Sequence, residues 1–155
     1  MSAPVSYQIL QEVQERLQAI NPAAGYNTAA GDRVYLGRKQ VNPDQTDIGT
    51  VLTVYDSGIE AVEGTAHGYE PVQAEMTIQI DAHVRDVNDE GAELAHLLTQ
   101  DVFNAMLDST DQTLGGIALD IGFVSQEVTY PEPGGDTMIV TLVFTSMFEM
   151  PYGNM

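Results

Sequence analysis

The stretch Val72–Arg85 reads VQAEMTIQIDAHVR, and its apolar and polar residues alternate without a break. A period of two over this length predicts a half-buried β-strand, because successive side chains leave a strand on opposite faces. The apolar face needs a cover, and the polar face meets either water or a partner. The apolar positions are Val72, Ala74, Met76, Ile78, Ile80, Ala82 and Val84, and the polar ones are Gln73, Glu75, Thr77, Gln79, Asp81, His83 and Arg85.

The segments on either side of this strand have helical or strand patterns of their own. Apolar residues recur at helical spacing in two segments, which predicts amphipathic helices over Pro4–Ile20 and Asp89–Ser109. Leu97, Phe103 and Leu107 broaden the apolar stripe of the second helix, so we expect that helix to be covered on more than one side. Further strands are predicted at Arg33–Gly37, Thr50–Tyr55, Ile117–Tyr130 and Thr137–Met150.

One strand and two connections are irregular. The apolar residues of Ile117–Tyr130 change parity part-way along, which predicts a β-bulge near Phe123. Two connections, Arg38–Gly49 and Ser57–Pro71, show no periodicity and contain glycine and proline. Loops of this length in a compact domain are usually functional or mobile.

Composition bounds the class of protein. The chain has 155 residues, the size of a single domain spanning 1–155, and 43% of them are hydrophobic. It contains no cysteine, which excludes disulfides, zinc–thiolate sites and cysteine nucleophiles. No apolar run reaches the length of a membrane span, and no signal-peptide pattern opens the chain, so a cytoplasm is the expected compartment.

The chain is strongly acidic. It has 5 Lys and Arg against 23 Asp and Glu, which gives a net charge of −18, and Lys39 is its sole lysine. Wrapping of nucleic acid is disfavoured, because phosphate neutralisation needs clustered basic residues. Two interpretations of the acidity stay open: a solubilising surface, such as a salty cytoplasm demands, or a surface that must not adhere to a polyanion.

The residues that could carry chemistry do not combine into a recognisable site. His67, His83 and His96 have no neighbours at ligand spacing, so we expect solvated or hydrogen-bonded histidines and no metal. Ser57 and Ser125 lack the pattern of a nucleophile elbow, and the glycine-rich segments lack phosphate-binding spacing. The sequence therefore predicts no catalytic residue, no cofactor and no metal.

Two further groups of residues also have structural interpretations. Asp81, Asp86 and Asp89 fit a solvated strand end followed by a helix cap better than a catalytic pair. Phe148 continues the apolar face of the last strand, so we expect Phe148 and Tyr152 to pack and not to form an exposed patch.

The order of these elements, with three short signatures, resembles a known family. The signatures are Val34-Tyr35-Leu36-Gly37 in a strand, Gly68-Tyr69-Glu70 before the alternating strand, and Thr113-Leu114-Gly115-Gly116 after the second helix. Together they resemble the tail terminator proteins of long-tailed bacteriophages, also called minor tail protein U-like or tail-completion proteins. The resemblance extends over nearly the whole chain.

The resemblance implies an α+β fold in which two main helices pack on a mostly antiparallel sheet. It also implies a homo-hexameric ring at the head-proximal end of the tail tube. Such a ring ends polymerisation of the tail tube protein and joins the tail to head-completion (neck) proteins, while genome DNA passes through it without specific binding. The expected location is the virion, after assembly in the host cytoplasm, and no membrane is involved.

A ring also implies contact surfaces, for which the two irregular loops and the polar strand face are candidates. We expect these loops to be mobile in the free subunit and ordered in the ring. The candidate loop residues are Lys39, Asn42, Asp44, Asp47, Glu60, Glu63, His67 and Tyr69, and the candidate strand residues are Gln73, Glu75, Gln79 and Asp81.

Two alternatives stay open. The chain could be another neck ring, such as a stopper or an adaptor. It could also be a small soluble enzyme or ligand-binding domain, which would have one deep cleft with convergent polar groups.

Overall fold

The computed structural model describes residues 4–37, 50–62, 72–85, 91–107, 118, 120–130 and 137–150. Within them lie the α-helices α1 (Val5–Gln18) and α2 (Gly91–Met106) and the short 3-10 helices Pro22–Ala24 and Ala30–Asp32. The strands are β1 (Val34–Leu36), β2 (Thr50–Ala61), β3 (Val72–Arg85), β4 (Asp120–Thr129) and β5 (Thr137–Met150).

The five described strands form one sheet in the order β1-β2-β3-β5-β4. The strand β1 pairs with β2 in parallel, and the other three pairings are antiparallel. The β3 strand lies at the centre and pairs with β5 along its full length, from Val72↔Met150 to Arg85↔Thr137. The fold is α+β with a mostly antiparallel sheet, as expected.

Both helices contribute to one hydrophobic core with one side of the sheet. The apolar stripes of α1 and α2 and the even-numbered residues of β3 from Ala74 to Val84 belong to the same buried cluster. On β3 these residues alternate with polar ones, so burial of one face is enough to set the register of the sheet. The buried helix and strand residues at the centre include Ile9, Val13, Leu17, Leu98, Val102, Met76, Ile78, Ile80, Leu142 and Phe144.

The connector between α1 and β1 is anchored at two points. A Cβ atom on Gly31 would lie 2.7 Å from the carbonyl oxygen of Ile20, so this close approach to the end of α1 requires glycine. Asp101 of α2 is buried, and its carboxylate accepts hydrogen bonds from the backbone N–H groups of Asn27 (2.9 Å) and Thr28 (2.8 Å). The Thr28 hydroxyl donates a third, at 2.7 Å.

The predicted helices and strands are present, with one substantial correction. The strand β2 continues from Tyr55 to Ala61, so the expected loop is wrong for the residues 57–61. These residues pair with β3 as far as Ala61↔Ala74, across a bulge between Asp56 and Gly58. Their side chains are exposed, so backbone pairing forms this half of the strand without any apolar pattern.

Other expectations have clear outcomes where the structure describes the chain. The predicted bulge near Phe123 is confirmed by a register shift between Phe123 and Ser125. Phe148 is buried, as expected. The predicted loop residues 38–49 and 63–71 lie outside the described residues. So do Asp86, Asp89, Gly115-Gly116 and Tyr152.

Candidate interaction surfaces

The side of the sheet opposite the helices carries the predicted polar strand face. We call it the open face, because none of the described helices contributes core residues to it. It consists of the odd-numbered residues of β3 from Gln73 to His83 and the residues in register with them on the other strands. All four candidate strand residues lie here, and their exposure differs. Glu75 is exposed, Gln73 and Gln79 are half-buried, and Asp81 is buried.

One end of the open face, around Thr53, Asp81 and His83, is buried, and we call it the closed end. Asp81 and His83 keep 8% and 3% of their surface exposed, and their register partners on β2, Thr53 and Val51, are fully buried. His83 is therefore not solvated, and of the two states expected for it, solvated or hydrogen-bonded, the second remains. A polar strand face was predicted from alternation alone, and alternation does not report what covers a face.

A hydrogen-bonded pair lies within this closed end. The Tyr55 hydroxyl donates to Oδ2 of Asp81 at 2.9 Å, and the Thr53 hydroxyl donates to the Asp81 carbonyl oxygen at 3.4 Å. Oδ1 of Asp81 has no hydrogen-bond partner in the described part of the chain. Burial, then the hydrogen bond to Asp81 and the charge of its carboxylate, raise the pKa of Tyr55 from 10.0 to about 12.

The other end of the open face is exposed and acidic. Glu60 of β2 lies directly opposite Glu75 of β3, and Glu149 of β5 lies opposite Gln73. Like charges directly opposite each other destabilise a strand pair slightly. The basic residues of the described chain lie elsewhere: Arg33 precedes β1, Arg85 ends β3 at the far end, and Arg16 forms an ion pair with Glu12 on α1 at 3.7 Å.

A third surface lies where α2 runs beside β4, the last strand of the sheet. The Phe123 ring of β4 packs edge-on against Phe103 of α2 and against Phe144 in the core, with centroids 5.4 and 5.5 Å apart. Phe103 and Phe123 remain 41% and 40% exposed, and Val124 at the bulge is 55% exposed. The expectation that α2 is covered on more than one side is therefore wrong at Phe103.

Sequence reasoning missed this aromatic edge, although the broadened apolar stripe of α2 was its signal. It also missed Asp101, which looks like any other acidic residue of a helix. Of the candidate loop residues, Glu60 is described and lies on β2. Lys39, Asn42, Asp44, Asp47, Glu63, His67 and Tyr69 lie outside the described residues.

A ligand site needs a cavity with convergent polar groups. A small cleft of about 220 Å³ lies between the α1–β1 connector and α2, and no titratable side chain lines it. In the part of the chain described, no group of three or more His, Asp or Glu residues could hold a metal ion. None of the described helices is long and apolar enough to cross a membrane.

Comparison with known proteins gives a structural likeness. A chain from the virion of a native gene transfer agent (GTA) particle superposes with a TM-score of 0.63 at 16% sequence identity. The match covers 96% of this chain and 99% of that one. The two chains share a fold. A second solved chain, at 14% identity and a TM-score of 0.45, covers 94% of this chain and 97% of its own, and is too distant to carry an argument.

Sequence comparison adds nothing to this likeness. No protein-family profile matches the chain, and a search of curated proteins finds no match.

Proposed function

We propose that this chain is a non-enzymatic structural protein of a phage-like virion, and within it a tail terminator. The observation that carries the proposal is the likeness to a chain of the gene transfer agent virion, which spans nearly the whole of both chains. The order of elements and the short signatures of the sequence support the more specific role.

In this role six copies form a ring on the head-proximal end of the tail tube. The ring ends tube polymerisation and offers its other side to the head-completion proteins. The whole chain acts as one domain, and its contacts are proposed at the two irregular loops and on the open face at Gln73, Glu75 and Gln79, whereas Asp81 is buried and takes no part. Glu60 now belongs to the same exposed acidic surface as Glu75, since the two lie in register.

The acidity of the chain fits a ring through which DNA passes. A protein that binds DNA neutralises phosphates with Lys and Arg, whereas this chain carries a net charge of −18. Glu60, Glu75 and Glu149 are exposed at one end of the open face, which supplies a surface that repels phosphate. If that surface lines the hole, the genome passes without being held.

A direct test adds the purified protein to tail tubes that are still growing. We expect tube growth to stop and electron micrographs to show a ring of six on one end of each tube. Labelling of assembled particles should then place the protein between tail and neck. A ring that binds the head-completion proteins and never a tube would instead identify a stopper or an adaptor.

The net charge also predicts how the ring responds to salt. Six copies of a chain with a net charge of −18 repel one another when they are held together. Salt shortens the reach of this repulsion, since the Debye length falls from about 10 Å at about 0.1 M to about 3 Å at about 1 M. We expect a monomer at low ionic strength and increasing association as salt rises.

Sedimentation velocity across a salt series, with and without purified tubes, measures this response. A tube end templates the ring and adds interface area, so rings should form on tubes at lower salt than in solution. A hexamer that is stable at low salt and dissociates as salt rises would mean that attractive ion pairs dominate the contacts, which would contradict this prediction.

A further inference from the structure

The aromatic edge is a neutral surface on a highly charged chain. We define the neutral edge as the exposed residues of α2 and β4 around the bulge, namely Gln100, Phe103, Asn104, Phe123, Val124 and Ser125. None of the six carries a charge, while the whole chain carries −18. Aromatic side chains, Phe included, are enriched at the cores of protein interfaces relative to the rest of the surface.

The other edge of the sheet carries an exposed apolar residue at nearly the same position along the strand direction as Phe123. The strand β1 pairs with β2 only along Leu52–Val54, so β2 has no described partner on that side over the residues 56–61. We call this exposed half of β2 the free half. It contains Ile59, which is 39% exposed and has the same parity as the buried Met76.

The register of the sheet relates the two edges. Phe123 is in register with Phe144 and, through it, with Ile78, and Ile59 is in register with Met76. Phe123 and Ile59 therefore lie on the same side of the sheet. Along the strands they are two residues apart, or about 7 Å. The pairings from β2 through β3 and β5 to β4 are all antiparallel, so β2 and β4 run in opposite directions.

We propose that successive copies of this chain contact each other through these two edges, with the neutral edge of one copy against the free half of β2 in the next. Copies placed side by side in the same orientation then bring the two strands together antiparallel, with Val124 and the aromatic rings beside Ile59. The contact joins two different surfaces, so it excludes a two-fold dimer and generates a ring when the rotation between successive copies closes. This inference rests on the proposed ring function.

The antiparallel match of the two edges, together with their charges, favours a second copy as the occupant on this side of the sheet. The free half carries Asp56, which is exposed and lies on the same side of the sheet as Ile59, so another copy of this acidic chain approaches it best with a surface that presents no acidic group, and the neutral edge is such a surface. On the open side of the same contact, Asp120 of one copy comes level with Glu60 of the next, because both are in register with the Glu75–Met147 pair. That like-charge approach is a local source of the expected salt dependence.

Cysteine cross-linking tests the contact, since the natural chain contains no cysteine. The double variant Val124→Cys with Ile59→Cys, assembled at high salt and treated with a short bis-maleimide, should give a covalent ladder up to the hexamer. Each single-cysteine variant should remain monomeric on the same denaturing gel. A covalent dimer from Val124→Cys alone would show a two-fold contact and would overturn the proposal.

Charged substitutions test the same contact without a cross-linker. Val124→Asp and Ile59→Asp alter exposed side chains, so each variant should keep the wild-type circular dichroism and urea midpoint while losing rings in electron micrographs. A mixture of the two variants retains one intact pair of edges and should stop at a dimer in sedimentation velocity. The matched control is Tyr7→Asp, an exposed apolar residue on α1, which should still form rings.

The outcomes separate this contact from the proposed function. Wild-type rings that cap tubes, together with rings from Val124→Asp or from the mixture, would overturn the contact and leave the function standing. Loss of rings in Tyr7→Asp as well would show that added charge, and not this contact, prevents assembly. A wild-type protein that forms no ring at any salt and caps no tube would overturn both.

Discussion

The two sides of β3 differ in how their side chains are kept from water. On the helix side Met76, Ile78 and Ile80 are fully buried among apolar neighbours. On the open face burial changes along the strand, from exposed Glu75 to buried Asp81, where a hydroxyl and a carboxylate share a hydrogen bond. Apolar burial stabilises the first side. On the second side the burial of polar groups costs free energy, and hydrogen bonds must offset that cost because the exclusion of water alone does not.

This difference shows what an alternating sequence specifies. Alternation determines which residues face the helices, because a shift by one residue would place every polar side chain in the core. It leaves the environment of the other face undetermined. The helix side should therefore respond to substitution uniformly and strongly, and the open face should respond according to position.

The largest expected effect is at Ile78. Ile78→Asp places an unpaired charge among fully buried apolar residues and should lower the free energy of unfolding by about 4 kcal/mol or more. The matched control is Gln79→Asp on the open face, which should change it by less than about 1 kcal/mol. Urea unfolding measures both, and equal damage from the two substitutions would contradict the assignment of the faces.

An intermediate effect is expected at the closed end of the open face. Tyr55→Phe removes the hydroxyl that donates to Asp81, so a buried carboxylate loses its side-chain donor. We expect a loss of about 1–3 kcal/mol in the free energy of unfolding at neutral pH. A change near zero would mean that the closed end tolerates the carboxylate without this hydrogen bond.

The same pair predicts a dependence on alkaline pH. The folded protein holds the Tyr55 proton more tightly than the unfolded chain, because its pKa is raised from 10.0 to about 12. The stability that this raised pKa contributes is fully present below pH 10.0 and is lost as pH rises towards about 12. Phenolate absorbance should show a late titration near pH 12 that is missing in Tyr55→Phe.

The smallest effect is expected at the exposed end. Glu75→Gln removes one member of the directly opposed pair with Glu60 and should stabilise the protein by less than about 1 kcal/mol. The gain should shrink as salt rises, because both side chains are exposed and screened. A gain that persists unchanged at high salt would point to packing and not to charge.

Local pattern was sufficient for part of this fold. The bounds of β3 and β5 and the bulge at Phe123 follow from alternation and its change of parity. The second half of β2 could not be predicted, because its exposed side chains have no apolar period and its strand conformation comes from pairing with β3.

The surfaces depend even more on distant contacts. Asp101 accepts a hydrogen bond from Thr28, which is 73 residues away in sequence, so no local sequence pattern could predict this contact. Whether Phe103 is covered depends on where β4 ends the sheet, and Glu60 becomes a neighbour of Glu75 only through strand register. Short signatures predict elements, and long-range pairing decides which residues meet.

The bond between Asp101 and Thr28 also has a consequence for the order of folding. Residues 73 positions apart must meet before the α1–β1 connector can be anchored, and Arg16 reaches the Met106 carbonyl over 90 positions. During synthesis α1 therefore leaves the ribosome long before its partners on α2 exist. Closure of such a long loop is entropically costly and slow. The apolar stripe of α1 therefore stays exposed in the nascent chain until the sheet and α2, which bury it, have been synthesised.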